Sequence, residues 1–75
     1  MEPDRPGRIG DDERMTEREV TVLRFLQSML SNEEIAGKLY LSVNTVKTHV
    51  RHIYRKLDVS HRRDAVRRAR ELRIL

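Results

Sequence analysis

The stretch SVNTVKTHVRHIYRKL, residues 42–57, constrains the fold of this 75-residue chain more than any other segment. Wound as an α-helix, it places apolar side chains on one side, at spacings of four, three, one and three residues. This stripe consists of Val46, Val50, Ile53, Tyr54 and Leu57. The opposite side has no carboxylate and consists of Asn44, Lys47, Thr48, Arg51 and Arg55. The pattern predicts a helix that packs one face into a core and exposes a basic face.

The charge of the chain is divided unevenly between its two halves. Residues 1–41 hold 6 basic and 9 acidic side chains, and residues 42–75 hold 10 basic and 3 acidic ones. The two balances, −3 and +7, give the net charge of +4. A basic half that contains the amphipathic helix is typical of proteins that bind polyanions, nucleic acids above all. The alternative is a solvated surface that is simply rich in arginine.

Composition excludes several classes of protein. The chain has no cysteine, which excludes a disulfide scaffold and a zinc site built on thiolates. It contains no signal peptide and no run of about 18 apolar residues that could span a membrane. We expect a soluble cytoplasmic protein without a membrane partner.

Residues 1–14 differ in composition from the rest of the chain. They hold both prolines and two of the three glycines, with almost no apolar side chains. This segment is predicted to be a disordered tail or a linker. The remaining residues, 15–75, are predicted to form one small domain.

Helix start signals recur along the domain. Thr16 with Glu19 and Ser31 with Glu34 have the spacing of capping boxes, and Ser42 is a third N-cap candidate. Together with the apolar periodicity, these signals predict helices over residues 17–28, 32–38 and 43–57. The first two helices are predicted to bury Val22, Leu23, Leu26, Leu30, Ile35, Ala36 and Leu39.

A fourth helix is predicted over residues 62–72. Asp58 follows the third helix where a residue in the left-handed conformation is expected, and Asp tolerates that conformation. The start of the fourth helix is poorly marked, and Ser60 is the predicted N-cap. Its apolar side consists of Ala65, Val66, Ala69 and Leu72. No strand pattern occurs, so the predicted fold class is all-α with four helices.

The second and third helices, joined at Tyr40–Leu41, have the order of a helix-turn-helix. In such units the second helix lies in the DNA major groove. Lys47 and Arg51 are one helical turn apart and could donate to guanine O6 and N7, and the Thr48 methyl group could contact a thymine methyl group. Hydroxyl groups at helix N-termini, where the helix dipole favours anions, indicate phosphate contacts.

Three segments carry a resemblance to a known family: TEREVTVLRFL, SNEEIAGKLYLSVNTVKTHVRHIYRKLDV and AVRRARELRIL. From Met15 to Leu75 the chain resembles the LuxR-type, or GerE-type, helix-turn-helix domain of bacterial transcriptional regulators. The resemblance implies a four-helix domain that binds double-stranded DNA sequence-specifically and regulates transcription, with helix 43–57 as the recognition helix. The C-terminal segment is most similar to domains of large ATP-dependent LuxR regulators and actinobacterial relatives.

The resemblance also assigns roles to individual residues. It implies base contacts by Lys47, Thr48 and Arg51. Matching positions and the helix geometry together give the expected DNA backbone contacts, Ser31, Asn32, Ser42, Asn44, Thr45, Arg55 and Lys56. The fourth helix matches a surface that pairs two domains on inverted half-sites, and here it would use Ala65, Arg68, Ala69 and Leu72. Glu19, Ile35, Val46, Ile53 and Leu57 match core and framework positions.

The sequence departs from the family pattern at helix ends. Members often have glycine where Met29 and Arg73 stand, and usually where Asp58 stands. These positions affect loop shape rather than the reading face.

Other functions remain as alternatives. His49 and His52 lie three residues apart with His61 nearby, but no third ligand is specified, so no metal is expected. No catalytic constellation occurs, and neither an enzyme activity nor a cofactor is expected. The rival functions are a protein-interaction module that pairs through the fourth helix without DNA, and a sigma-factor-like promoter-binding region. RNA polymerase is a further candidate partner.

Overall fold

The computed structural model describes residues 14–75, and this part of the chain forms four helices. They are α1 (Glu17–Gln27), α2 (Asn32–Leu39), α3 (Val43–Leu57) and α4 (Arg62–Glu71), with no strand among the described residues. The all-α prediction is confirmed, and each predicted helix boundary lies within one residue of the observed one. The predicted tail, residues 1–14, lies outside the described residues apart from Arg14.

The first two helices begin at complete capping boxes, as predicted. Thr16 Oγ1 accepts from the Glu19 N–H at 3.1 Å, and Glu19 Oε1 accepts from the Thr16 N–H at 2.9 Å. Ser31 and Glu34 form the same pair of bonds, at 3.1 and 2.8 Å. Each box satisfies two backbone donors that a helix start leaves without a partner.

The last two helices begin with weaker caps. Ser42 Oγ accepts from the Thr45 N–H at 3.1 Å, which confirms Ser42 as the N-cap of α3. The N-cap of α4 is His61 rather than the predicted Ser60, and its side chain makes no capping hydrogen bond. The prediction of Ser60 was wrong by one residue because α4 is positioned by its packing and not by a local cap.

All four helices end in a left-handed residue that is not glycine. Met29, Tyr40, Asp58 and Arg73 have φ values of 69°, 58°, 58° and 61°. In each case the next residue donates its N–H to the carbonyl five residues back, at 3.2, 3.0, 3.0 and 2.8 Å. This is the Schellman motif. The helix ends therefore keep the usual turn even where glycine is missing. The left-handed conformation predicted for Asp58 is confirmed.

The core lies where the four helices meet. α3 contacts each of the other three helices, and α1 also contacts α4. The buried hydrophobic side chains are Val22, Leu23, Leu26, Ile35, Ala36, Val46, Ile53, Leu57, Ala65 and Ala69. Val50 and Tyr54 are half-buried at the edges of the α3 stripe, and Leu30 and Leu39 are half-buried against the core. Burial raises the pKa of Tyr54, while the nearby Arg62 charge lowers it in part.

The fourth helix packs inward through its alanines. Ala65 and Ala69 have no exposed surface because α4 lies against both α1 and α3. These two residues, which were expected on the pairing surface, offer no surface to a second copy, since their small side chains serve close packing within one chain. Leu72, which was also predicted on this face, is 51% exposed. The remaining members of the predicted pairing surface are thus Arg68 and Leu72.

Candidate nucleic-acid interface

The exposed side of α3 brings together the residues that the sequence assigns to DNA. Lys47, Thr48 and Arg51 are exposed, as are Asn44 and Arg55. At about 100° per residue these five positions fall within an arc of roughly 100°. They therefore form one surface, which we call the basic face.

The basic face stands on a rigid support. The side of α3 opposite to it carries the fully or nearly fully buried Val46, Ile53 and Leu57. Fifteen residues at about 1.5 Å each give a helix of roughly 22 Å, long enough to cross a major groove about 12 Å wide. Because the buried stripe fixes the helix against three others, the side chains of the basic face project from a defined surface.

The electrostatics of α3 favour an anionic partner. The helix contains two lysines and two arginines and no acidic residue. Its first turn has no carboxylate, so the free N–H groups and the helix dipole at its start are unopposed. Lys47 and Arg51 lie one turn apart, which is the spacing needed to reach neighbouring base edges.

Thr48 has part of its hydrogen-bonding capacity used within the helix. Its Oγ1 donates to the Asn44 carbonyl oxygen at 3.1 Å. The hydroxyl proton is therefore engaged, and the groups that Thr48 offers to a ligand are its methyl group and oxygen lone pairs. This favours an apolar contact such as one with a thymine methyl group.

The start of α2 suits phosphate less well than the start of α3. The Ser31 hydroxyl caps its own helix, as the Ser42 hydroxyl does, but Asn32 is half-buried. Glu33 and Glu34 occupy the first turn and are exposed. Their charges oppose the attraction of an anion by the helix dipole. By contrast, Ser42 and Thr45 share a hydroxyl–hydroxyl hydrogen bond of 2.9 Å at an end without acidic side chains.

Lys56 occupies a different environment from the basic face. Its Nζ lies 2.8 Å from Glu19 Oε1 and donates to the Arg14 carbonyl oxygen, also at 2.8 Å. The Lys56 and Glu19 side chains are only 10% and 5% exposed. Lys56 therefore ties α3 to the start of α1, a structural role that the sequence analysis missed, and we leave it out of the proposed interface.

Tyr40 lies outside the interface that the sequence predicts. Its side chain is almost fully exposed, in the turn between α2 and α3. An aromatic residue at a predicted turn was the available signal.

His49 and His52 are half-buried, and among residues 14–75 no three His, Asp or Glu side chains are grouped closely enough to hold a metal ion. None of the four described helices combines the length and the apolar character that a membrane span requires.

Comparison with protein families agrees with this geometry. The family model described as bacterial regulatory proteins, luxR family, matches residues 13–69. The chain belongs to the LuxR family. LuxR-family domains of this type are DNA-binding domains of transcription regulators and not enzymes. The helix-turn-helix of α2 and α3 is the part of the LuxR-type domain that carries the basic face.

A solved structure extends the comparison beyond the family model. The crystal structure of the response regulator ChrA, from a heme-sensing two-component system, is 44% identical in sequence and superposes with a TM-score of 0.81. The match covers 83% of this chain and 31% of the ChrA chain. This LuxR-family chain thus spans about a third of a response regulator that it resembles.

Proposed function

We propose that the domain binds double-stranded DNA sequence-specifically, with α3 in the major groove. Lys47 and Arg51 donate to purine acceptors, and Thr48 contacts a thymine methyl group. The observation that carries the proposal is the basic face itself. It is exposed and free of carboxylates, while the opposite stripe of the same helix is buried.

DNA backbone contacts position this helix. We assign them first to Ser42, Asn44 and Thr45 at the start of α3 and to Arg55 near its end. Ser31 and Asn32 are secondary candidates because of the carboxylates beside them. Since DNA is the partner, we place the protein in the cytoplasm.

We further propose that two copies bind inverted half-sites and meet through α4. With Ala65 and Ala69 buried, the contact would rest on Arg68 and Leu72. A surface this small is weak, so pairing is expected on DNA rather than in the free protein. The similarity to ChrA supports a role as the output domain of a response regulator, with RNA polymerase as a partner at the promoter.

The decisive experiment combines in vitro selection of bound DNA with binding measurements on the selected duplex. Lys47→Ala and Arg51→Ala should each weaken binding to the selected site by about 1–3 kcal/mol and change binding to random duplex little. Arg18→Ala is the matched control, since Arg18 is exposed on α1, away from the basic face. Fluorescence anisotropy of labelled duplexes provides the affinities.

Three outcomes would contradict the proposal. Equal losses on selected and random DNA would assign Lys47 and Arg51 to the phosphate backbone. No binding of any duplex at low salt would favour a protein-interaction module instead. Binding that requires added RNA polymerase would favour the sigma-like alternative.

A further inference from the structure

A second basic surface lies between α4 and the end of α1. Leu26 and Val66 line its floor, Met29 stands at its edge, and Arg63, Arg67 and Arg70 line its α4 side. No carboxylate is among its lining residues, and Arg62 contributes a fourth guanidinium group. We call this surface the arginine groove.

The arginine groove combines apolar and cationic surface. Leu26 is buried, Val66 is half-buried and Met29 is 80% exposed. Arginine side chains add apolar stems beneath their charged ends. An occupant that matches this surface needs an apolar strip with acidic side chains beside it.

Three of the four guanidinium groups of the groove, those of Arg62, Arg67 and Arg70, are held in place by neighbouring groups. Arg62 Nη1 donates to the Leu30 carbonyl oxygen at 2.5 Å, and Arg67 Nη2 lies 3.1 Å from Asp64 Oδ1. With the Gln27 amide turned to satisfy both partners, its oxygen accepts from Arg70 Nε at 3.2 Å and Nη2 at 2.7 Å. Oriented guanidinium groups bind carboxylates at a lower entropic cost, and they can do so with two parallel hydrogen bonds.

The groove lies away from the DNA-reading surface. α1 and α4 both contact α3, whose packed stripe faces opposite to the basic face, and no residue of α3 lines the groove. Contacts to a DNA backbone are polar and gain nothing from an apolar floor. Charge and apolar complementarity therefore favour a protein segment over a second stretch of nucleic acid.

We propose that the arginine groove docks an acidic amphipathic helix of another protein. The segment lays its apolar strip along Leu26, Val66 and Met29 and places Glu or Asp side chains against Arg63 and Arg70. The ten residues of α4 span about 15 Å, so a partner helix of three turns fills the groove. Because the groove and the basic face are separate, the partner binds DNA-free and DNA-bound protein alike, independently of the proposed function.

The test uses the full chain and a synthetic helical peptide of about 15 residues, with a leucine stripe flanked by glutamates. In NMR titration, backbone amide shifts should concentrate around Met29 and Val66. Arg63→Glu with Arg70→Glu should weaken peptide binding at least tenfold, whereas the exposed Arg18→Glu should leave it within twofold. Met29→Asn, which tolerates the left-handed backbone but removes an apolar contact, should weaken binding severalfold.

Three results would overturn this inference. One is equal binding of a peptide whose leucines are replaced by serine, because that shows charge attraction alone. Another is a pattern of backbone amide chemical-shift changes centred on α3. The third is displacement of the peptide by a random DNA duplex. Melting curves of each variant verify folding, and duplex binding by the same variants separates this result from the DNA proposal.

Discussion

Met29 illustrates how a single residue can hold an unfavourable backbone conformation. It ends α1 at φ 69°, and the Leu30 N–H closes the turn on the Phe25 carbonyl oxygen. A residue with a Cβ atom loses about 1–2 kcal/mol in this conformation, whereas glycine adopts it freely. The turn nevertheless forms because Leu30 and the start of α2 are held by the core.

Met29→Gly should therefore stabilise the domain. We expect a gain of about 0.5–1 kcal/mol, since relief of strain exceeds the added freedom of the unfolded chain. For a domain of this size the melting temperature should rise by a few degrees, about 4–8 °C per kcal/mol. Ser28→Gly is the control, because Ser28 has a φ of −84° and gains nothing from glycine. Urea denaturation that ranks the two variants equally would refute the explanation.

Lys56 and Glu19 show a different residue-scale effect, a nearly buried ion pair. Removing one partner of such a pair leaves the other charge without compensation, at a cost of roughly 3 kcal/mol or more. Lys56→Met should therefore destabilise the fold strongly. Adding Glu19→Gln, which keeps an oxygen to accept the Thr16 N–H, should recover part of the loss. Urea denaturation of the parent, the single variants Lys56→Met and Glu19→Gln and the double variant measures this coupling. Additive effects on the free energy of unfolding would show that the pair contributes no net interaction.

The same variants test whether Lys56 contacts DNA. Its amino group is engaged within the protein, so the salt dependence of DNA binding by the folded double variant should match that of the parent. If the slope of log K against log salt concentration became less negative by about one, Lys56 would instead belong to the phosphate contacts.

At the scale of elements, local chemistry determined what the sequence could predict. Capping boxes act over three residues, so the starts of α1 and α2 were predicted from Thr16 and Ser31. Asp58 was predicted as a helix end because Asp tolerates left-handed backbone. Met29 and Arg73 could not be predicted in this way, since their conformations follow from packing and not from the residue type.

Contacts between elements were harder to predict. Periodicity identified Ala65 and Ala69 as one face of α4 but could not show which surface covers that face. The ion pair of Lys56 was missed for a similar reason, because its partner Glu19 lies 37 residues away in sequence. The basic face was predictable because it requires only the periodicity of one helix and the burial of the opposite side.

The two faces of α4 should respond differently to substitution. Ala69→Leu introduces extra volume at a fully buried position and should destabilise the domain by about 1–3 kcal/mol. Leu72→Gln alters an exposed side chain, so it should leave stability nearly unchanged and weaken binding to paired half-sites relative to a single half-site. Thermal melts measure the stability of each variant. Fluorescence anisotropy on a duplex with paired half-sites and on one with a single half-site measures DNA binding. Loss of stability in Leu72→Gln, or unchanged pairing, would contradict this division.

At the scale of the whole molecule, charge is arranged on two surfaces of one small body. The described residues measure about 33 × 27 × 18 Å, so none of them would lie far from a duplex held on α3 as we propose. Acidic residues nevertheless concentrate in the first half of the chain and basic residues in the second. If DNA lies on α3 as we propose, the basic second half of the chain adds long-range attraction toward the duplex before specific contacts form.

The dependence of DNA binding on salt tests this arrangement. Each phosphate neutralised by the protein adds about −0.9 to the slope of log K against log salt concentration, because counterions are released. Arg55→Gln should make the slope less negative by about one and weaken binding to all sequences alike. Arg18→Gln removes the same charge from an exposed position on α1 and should leave the slope unchanged. Equal changes for the two variants would mean that net charge, and not the placement of Arg55 on the basic face, determines DNA binding.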